Sequence, residues 1–379
     1  MIYADNAATT RISDRAFEQM FPFLHEQYGN ASSQYSLGVK AKQAIERARK
    51  QVAVNIGAEP TEIIFTSGGS ESNNWVLQGI AKTYQSKPMH IITSAIEHHS
   101  VLNACHSLGQ NGIEVTFLPV DNVGRVSVDS VKTAIKPNTR LVSIMLANNE
   151  IGTIQPIVEI GKFLKGSGIL LHTDAVQAVG HIPVNVNDIR VDFLTASAHK
   201  FNGAKGTGIL YNRTGLDLSP LIFGGEQERG LRAGTENVAG IVSAGYAIEE
   251  NVNEMAATAK RLKAMVDITL SGIKGKIPFV RVNGDTKNCL PGTINLGFNG
   301  ASGEALMHLL DLKGICVSTS SACNSGKDIP SHVLLALGLS EQQAKSAIRI
   351  SYGRYNCADE VETVVTAVCD AYAKIIASR

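Results

Sequence analysis

Seven short apolar runs, separated by longer helical stretches, are the feature that most restricts how this chain can fold. They fall at residues 63–65, 91–93, 115–118, 141–144, 169–171, 191–194 and 208–211. Runs of this length between helical segments are typical of strands in a mostly parallel sheet that is covered on both faces. The sequence therefore predicts an α/β fold whose large domain contains a mostly parallel seven-stranded sheet covered by helices.

The pattern changes after about residue 272. Strand-like runs at 293–296 and 348–351 flank helical segments at 302–312 and 341–347. Longer helices are predicted at 39–55 and 236–270, where Ala, Glu, Lys and other helix-forming residues are frequent. We predict a large domain of residues 13–255 and a smaller α+β domain formed by residues 1–12 and 256–379.

Composition excludes several classes of protein. The 379 residues include 35 Lys and Arg against 34 Asp and Glu, a net charge of +1, and 44% are apolar. The chain therefore has neither the composition of a disordered protein nor the basic excess of a nucleic-acid-binding one. The six cysteines form no Cys-x-x-Cys pair, which argues for reduced thiols and against a metal site. With no membrane-length apolar run and no signal-peptide pattern, a cytoplasmic location is expected, without partners among membranes or nucleic acids.

Polar residues follow four of the predicted strands at the point where each one ends. Gly69 and Ser70 follow the first run, His98 the second, Asp174 the fifth and Lys200 the sixth. Ligands of open α/β sheets bind beyond the carboxyl ends of the strands. These residues are therefore the candidates for a binding site.

Each of these residues alone also has an ordinary structural explanation. Ser70 could cap a helix, His98 could be solvated, Asp174 could pair with a Lys or Arg, and the Lys200 amine could extend to solvent. Taken together they match pyridoxal phosphate, which needs a lysine amine, a carboxylate at the pyridinium nitrogen, a phosphate site and a flat group over the ring. One cofactor explains the four positions better than four unrelated coincidences.

Over nearly its whole length the sequence resembles the cysteine desulfurases, which are fold-type I pyridoxal-phosphate enzymes of the class V aminotransferase-like group. The matching stretches include Asp5-Asn6-Ala7-Ala8-Thr9-Thr10, Ser67-Gly68-Gly69-Ser70-Glu71-Ser72-Asn73, Glu97-His98, Asp174-Ala175-Val176-Gln177, Ser197-Ala198-His199-Lys200 and Ser320-Ser321-Ala322-Cys323. The last of these resembles the members with a long cysteine loop that supply iron–sulfur cluster assembly.

The resemblance implies a role for each matching residue around the cofactor ring. Lys200 would form the imine, Asp174 would meet the pyridinium nitrogen, His98 would stack on the ring, and Gln177 would meet the phenolic oxygen. The residues implied for the phosphate are Gly69, Ser70, Ser197 and His199, with Thr235 from the other subunit of a homodimer.

Two further residues are implied for the carboxylate of the substrate, L-cysteine. They are Asn149, which would also lie beside the cofactor, and Arg349. The second assignment has independent support, because Ile348 and Ile350 share one face of a strand and leave Arg349 on the other. The guanidinium there has the planar shape that suits a carboxylate.

Cys323 distinguishes a desulfurase from a transaminase, which needs no thiol. It lies among small polar residues at 318–326, a pattern typical of an exposed loop. In the predicted reaction Lys200 moves the substrate proton, with His98 the candidate acceptor for the Cys323 proton. The thiolate then attacks the substrate sulfur, leaving alanine and a Cys323 persulfide. The persulfide would pass its sulfur to an acceptor protein, an iron–sulfur scaffold or another carrier.

Two alternatives remain open from the sequence. Within the same family the reaction could be that of a selenocysteine lyase, a transaminase or another lyase. In a different class, the chain could be a sulfur carrier or scaffold without catalysis, although the retained Lys200 argues against it. The sequence also departs from the family's usual pattern at Asn202, where a Tyr or His is usual, and at Tyr35, where a His is usual.

Overall fold

The computed structural model describes residues 1–85, 87–319 and 329–378. Thirteen strands occur in this part of the chain: β1 Ile2–Tyr3, β2 Ile63–Thr66, β3 His90–Ser94, β4 Glu114–Leu118, β5 Thr139–Ser143, β6 Leu170–Asp174, β7 Phe193–Ser197, β8 Gly208–Asn212, β9 Arg281–Asn283, β10 Thr293–Gly297, β11 Ile315–Cys316, β12 Ser318–Thr319 and β13 Ala347–Ser351. The α-helices of the same ranges are α1 Asp14–Met20, α2 Pro22–His25, α3 Ser36–Ile56, α4 Gly69–Thr83, α5 His99–Gln110, α6 Val128–Ala134, α7 Ile157–Leu164, α8 Val186–Ile189, α9 Val238–Lys276, α10 Gly303–Asp311, α11 His332–Ala336, α12 Glu341–Lys345 and α13 Glu360–Ala377.

Strands β2 to β8 form one seven-stranded sheet with the order β2-β8-β7-β6-β5-β3-β4. Only β8 runs antiparallel to its neighbours, β2 and β7. Apart from the edge strand β4, the strands are mostly buried, as expected where helices cover both faces of a sheet, and most of their buried polar residues lie toward their carboxyl ends. All seven predicted strands are present, and the predicted α/β fold class is confirmed.

The long helices also follow the prediction, with shifted ends. α3 runs to Ile56 and stops at Gly57, whose left-handed φ of 70° is readily adopted by glycine. One predicted boundary is wrong: the helix expected at 341–347 ends at Lys345. Ala347 belongs instead to β13, where it is buried and pairs with Gly297.

A second sheet, with the antiparallel order β12-β13-β10-β9, forms in the C-terminal part, and β1 pairs in parallel with β11. The apolar face of the four-stranded sheet packs with α10, α13 and the C-terminal half of α9 in a buried cluster that includes Ala4. Two other clusters pack against the two faces of the large sheet. Because the cluster of the second sheet is distinct from both, we propose the domain division at residues 12–13 and 255–256.

Residues 4–13, called the N-terminal strap below, join the two sheets. At one end the backbone N–H of Asn6 donates to Ser351 of β13, at 3.0 Å. At the other end Thr10 N–H donates to the carbonyl of His199, at 2.9 Å. The strap therefore crosses the carboxyl end of β7. No helix of the described ranges is long and apolar enough to cross a membrane.

Candidate active site

Lys200 lies one helical turn beyond β7 and faces the N-terminal strap. Its Nζ donates to the carbonyl oxygens of Ala7 and Ala8, each at 2.7 Å, and the side chain is half-buried. Lys205, the other lysine in this glycine-rich stretch, lies in an exposed turn. The geometry thus favours Lys200 over Lys205 as the amine that reacts at the sheet edge.

Asp174 is the last residue of β6 and is 6% exposed. Its two oxygens accept hydrogen bonds from Asn73 Nδ2, at 2.7 Å, and from the backbone N–H of Val176, at 3.0 Å. These neutral donors hold the carboxylate in a fixed orientation. No role for Asn73 is predicted from the sequence, although Asn73 ends the matching stretch that begins at Ser67.

His98 precedes α5 and caps its first turn. Its Nδ1 accepts the backbone N–H of Ser100 at 3.1 Å and lies 2.8 Å from the Ser100 hydroxyl. Burial lowers the pKa of His98 below its usual value, although the nearby Asp174 carboxylate opposes the shift. The imidazole is therefore neutral at neutral pH and can accept a proton.

The start of α4 lies against the carboxyl ends of β6 and β7. A Cβ atom at Gly69 would be 2.7 Å from Val176 Cγ2, so a larger residue here would have to displace the Val176 side chain. Within the described ranges, the backbone N–H groups of Gly69 and Ser70 have no hydrogen-bond acceptor. Free N–H groups at the start of a helix of this length can bind a phosphate.

Two more of the predicted phosphate ligands lie at the same edge of the sheet. Ser197 is the last residue of β7 and is 3% exposed. Its Cβ would lie 3.7 Å from a Cβ atom placed on Gly69, so the two residues are neighbours. His199 Nδ1 lies 3.1 Å from the Thr9 hydroxyl. Burial, together with the charges of Lys200 and Lys205, lowers the pKa of His199 to about 4. His199 is therefore a neutral hydrogen-bonding group rather than a cation.

Gln177 is buried and shares a hydrogen-bond acceptor with Lys200. Its Nε2 donates to the carbonyl of Ala7 at 2.9 Å, the same oxygen that accepts from Lys200. The amide and the amine therefore lie on one side of the N-terminal strap, which the sequence analysis quoted only as a matching stretch.

Arg349, on β13, is buried and its guanidinium is held by two hydrogen bonds. Its Nη1 donates to the carbonyl of Asn149 at 2.8 Å, and its Nη2 to the Asp5 carboxylate at 2.7 Å. The Nε is buried without an acceptor in the part of the chain that the structure describes. The guanidinium therefore keeps donor capacity for an anion and is 4% exposed.

Two buried carboxyls near these groups were missed by the sequence analysis. Burial raises the pKa of Glu97 to about 8, despite hydrogen bonds from the Ser94 hydroxyl and the Met145 N–H. Burial also raises the pKa of Glu150 to about 7, although Ser331 and Arg349 oppose it. Glu97 directly precedes His98, but nothing in the sequence indicates that its carboxyl is buried.

Two predicted site residues do not join this cluster. Thr235 lines a cavity of about 190 Å³ together with Ser67 and Arg232, on a loop that contains left-handed residues at Glu228 and Arg229. Its predicted role across a dimer stays a prediction. Cys323 lies outside the described residues, and its role in sulfur transfer stays a prediction. Within the described ranges, no cluster of His, Cys, Asp and Glu could hold a metal ion.

The chain matches one protein family over most of its length. The family model described as Aminotransferase class-V covers residues 2–364. The protein named Cysteine desulfurase IscS of Methanosarcina thermophila is 47% identical over 374 residues, which span 99% of this chain and 92% of that protein. A protein of the same name from Dictyoglomus turgidum is 49% identical over 360 residues, or 95% and 91% of the two chains.

Solved structures show the same likeness. A structure described as a NifS-like protein has a TM-score of 0.93 and 40% identity, and covers 98% of this chain and 99% of its own. A second, described as SspA in complex with cysteine, has a TM-score of 0.83 and 37% identity, with coverage of 94% and 100%. These neighbours confirm the predicted fold class.

Proposed function

The chain belongs to the class-V aminotransferase family and is a cysteine desulfurase, and we propose that it uses pyridoxal phosphate to convert L-cysteine into L-alanine and a persulfide on Cys323. Enzymes of this family depend on pyridoxal phosphate. The observation that carries the proposal is the convergence of Lys200, Asp174 and His98 at one edge of the large sheet. His98 lies close enough to both other residues for their charges to act on its pKa: Asp174 raises it and Lys200 lowers it.

The donor set fits the cofactor group by group. The Lys200 amine would bind it, Asp174 would pair with the ring nitrogen, and Gln177 would donate to the phenolic oxygen. The free N–H groups at Gly69 and Ser70 would hold the phosphate. The other proposed ligands are His98, Asn149, Ser197 and His199, with Thr235 supplied by a second subunit. When bound, pyridoxal phosphate supplies the electron sink for the substrate α-carbon.

The chain's own residues carry out the remaining tasks. Arg349 and the neighbouring Asn149 orient the substrate carboxylate, for which the unpaired Nε of Arg349 provides a donor. Lys200 Nζ moves the proton, and the carbonyls of Ala7 and Ala8 hold the amine when it is charged.

The sulfur step rests on the sequence around Cys323. The Cys323 thiolate attacks the substrate sulfur, so that an S–S bond forms while the C–S bond of the substrate breaks. The carbon takes the electron pair of the broken bond and then a proton, which gives alanine. No outside oxidant or reductant is needed. His98, neutral because burial lowers its pKa, accepts the thiol proton.

The proposal extends to partners. The substrate is L-cysteine, and the enzyme works as a homodimer in the cytoplasm. Its persulfide supplies a sulfur-acceptor protein, most simply a scaffold for iron–sulfur cluster assembly. The similarity to proteins named IscS supports this role.

Borohydride reduction of the purified protein tests the cofactor assignment. Reduction should fix the cofactor on the peptide containing Lys200. Unreduced protein should convert L-cysteine into alanine, with sulfide released from the persulfide when a thiol reductant is added. Lys200→Ala should lose both the visible absorbance and alanine formation. Lys205→Ala, which removes the exposed lysine of the same stretch, should keep both. A label on Lys205, or alanine formation by Lys200→Ala, would overturn the proposal.

A further inference from the structure

The N-terminal strap contacts two charged groups of the site at once. The carbonyls of Ala7 and Ala8 accept from Lys200, and the Asp5 carboxylate accepts from Arg349. These two basic residues lie on different sheets, Lys200 after β7 and Arg349 within β13. Whatever fixes the strap therefore fixes how both basic groups are presented.

Asn202 makes three hydrogen bonds to the strap. Its backbone N–H donates to the Thr10 hydroxyl at 2.9 Å, and its Nδ2 donates to the Arg11 carbonyl at 2.8 Å. Its own carbonyl accepts the N–H of Ser13 at 2.9 Å. With 2% of its surface exposed, Asn202 links the strap to the residues directly after Lys200.

The backbone at Asn202 restricts which residues can do this. Its φ is +65°, in the left-handed region where Asn and Asp are far more common than other residues with a side chain. The side chain must also supply a donor to keep the hydrogen bond to the Arg11 carbonyl. Asparagine meets both requirements, which accounts physically for a residue that departs from the family's usual Tyr or His.

The Thr10 hydroxyl is the matching contact on the strap side. It accepts from Asn202 N–H and donates to the carbonyl of His199 at 2.8 Å. One hydroxyl therefore joins the strap to two residues that flank Lys200.

We propose that Asn202 is a positioning residue: it holds the N-terminal strap so that Ala7 and Ala8 face Lys200 and Asp5 faces Arg349. It acts through the strap, by its hydrogen bonds with Thr10, Arg11 and Ser13. The inference rests on the proposed function only in assuming that Lys200 and Arg349 act on L-cysteine.

Asn202→Asp is the direct test, because it keeps the shape and the tolerance for a positive φ but replaces the donor with an oxygen. Loss of one buried hydrogen bond should speed hydrogen exchange at the Thr10 and Ser13 amides by about three- to tenfold. The KM for L-cysteine should rise by a similar factor, with a smaller change in kcat, because Asp5 no longer fixes Arg349. Asn187→Asp is the control for loss of an amide donor to a backbone carbonyl: its Nδ2 donates to the Gly57 carbonyl at 2.7 Å, at an exposed position away from the strap.

Asn202→Asp introduces a buried carboxylate, which could prevent folding. A second pair of variants therefore tests the same contact from the strap side. Thr10→Val should reproduce the faster strap exchange and the higher KM, and Thr10→Ser, which restores the hydroxyl, should return both toward the wild type. Exchange that rises evenly through the whole protein, unchanged strap exchange, or an unchanged KM would overturn the proposal. Exchange does not depend on turnover. A wild type that forms no alanine would therefore refute the proposed function, and strap exchange would still decide whether Asn202 holds the strap.

Discussion

Asn73 Nδ2 donates a 2.7 Å hydrogen bond to the carboxylate of Asp174. This contact joins α4, whose first N–H groups have no acceptor among the described residues, to the end of β6. The group proposed for the cofactor's ring nitrogen and the groups proposed for its phosphate are therefore held at a fixed separation. Both ends of the proposed cofactor site would thus be set by the packing of one helix on one strand.

Asp174→Asn should keep part of the cofactor but lose most turnover. A neutral amide no longer holds the ring nitrogen protonated, so kcat should fall by about 100-fold, equivalent to ~2.7 kcal/mol. The measurement is alanine formation beside the visible absorbance of the protein. Asp192→Asn is the control, because Asp192 accepts the N–H of Leu171 near the start of the same strand. Unchanged kcat in Asp174→Asn would return Asp174 to a purely structural role.

Arg349→Gln should weaken substrate binding more than the chemical step. The substituted amide cannot make a charged, two-pronged contact with a carboxylate, so the KM for L-cysteine should rise by about 10- to 100-fold. Steady-state kinetics over a range of L-cysteine concentrations measures this. Arg354→Gln is the control, since Arg354 is also largely buried but pairs with Glu250. A KM that stays at the wild-type value would contradict the assignment.

Glu97 should make the folded state less stable as pH rises. Burial raises its pKa to about 8, so the folded protein binds this proton more tightly than the unfolded chain, whose carboxyl has the ordinary pKa of about 4.3. The stability that the neutral carboxyl contributes is complete below about pH 4.3 and is lost as pH rises toward 8.

Glu97→Gln removes this titration, so the variant's Tm should fall less than the wild type's between about pH 5 and 8. Thermal unfolding across that range is the measurement. Glu304→Gln, which changes an exposed carboxyl, should leave the wild-type pH dependence intact. Parallel curves for the wild type and Glu97→Gln would show that Glu97 does not titrate in this range.

The sequence predicts the sheet well because each strand is a short apolar run that can be recognised from neighbouring residues alone. Polar residues that directly follow those runs, such as Lys200 and Asp174, can be recognised in the same way. Contacts made by residues far apart in the chain could not. Asp5 and Arg349 are separated by 344 positions, and nothing in either neighbourhood indicates the pairing. The same holds for Asn73, whose partner lies 101 positions away.

The burial of charged side chains is a second feature that could not be predicted from the sequence. Glu97 looks like any other glutamate in the sequence, and only the packing of β3 beside β5 shows that its carboxyl is enclosed. Asn202 is instructive in another way. It was noted as a departure from the family's pattern, and the left-handed backbone together with the Arg11 contact supplies a reason for it.

Cys323→Ala should separate the two halves of the reaction. The variant should keep its visible absorbance and still respond spectrally to L-cysteine, because Lys200, Asp174 and Arg349 are unchanged. It should form no alanine, because no thiolate is present to attack the substrate sulfur. Cys316→Ala is the control, and it should retain turnover.

Peptide mass spectrometry of the wild-type protein after brief exposure to L-cysteine tests the central claim most directly. The account predicts the mass of one added sulfur atom on the peptide that contains Cys323, removable by a thiol reductant. It also predicts that the addition is absent from Lys200→Ala treated in the same way. Added sulfur on Cys316 instead, or none on any cysteine while alanine accumulates, would contradict the account.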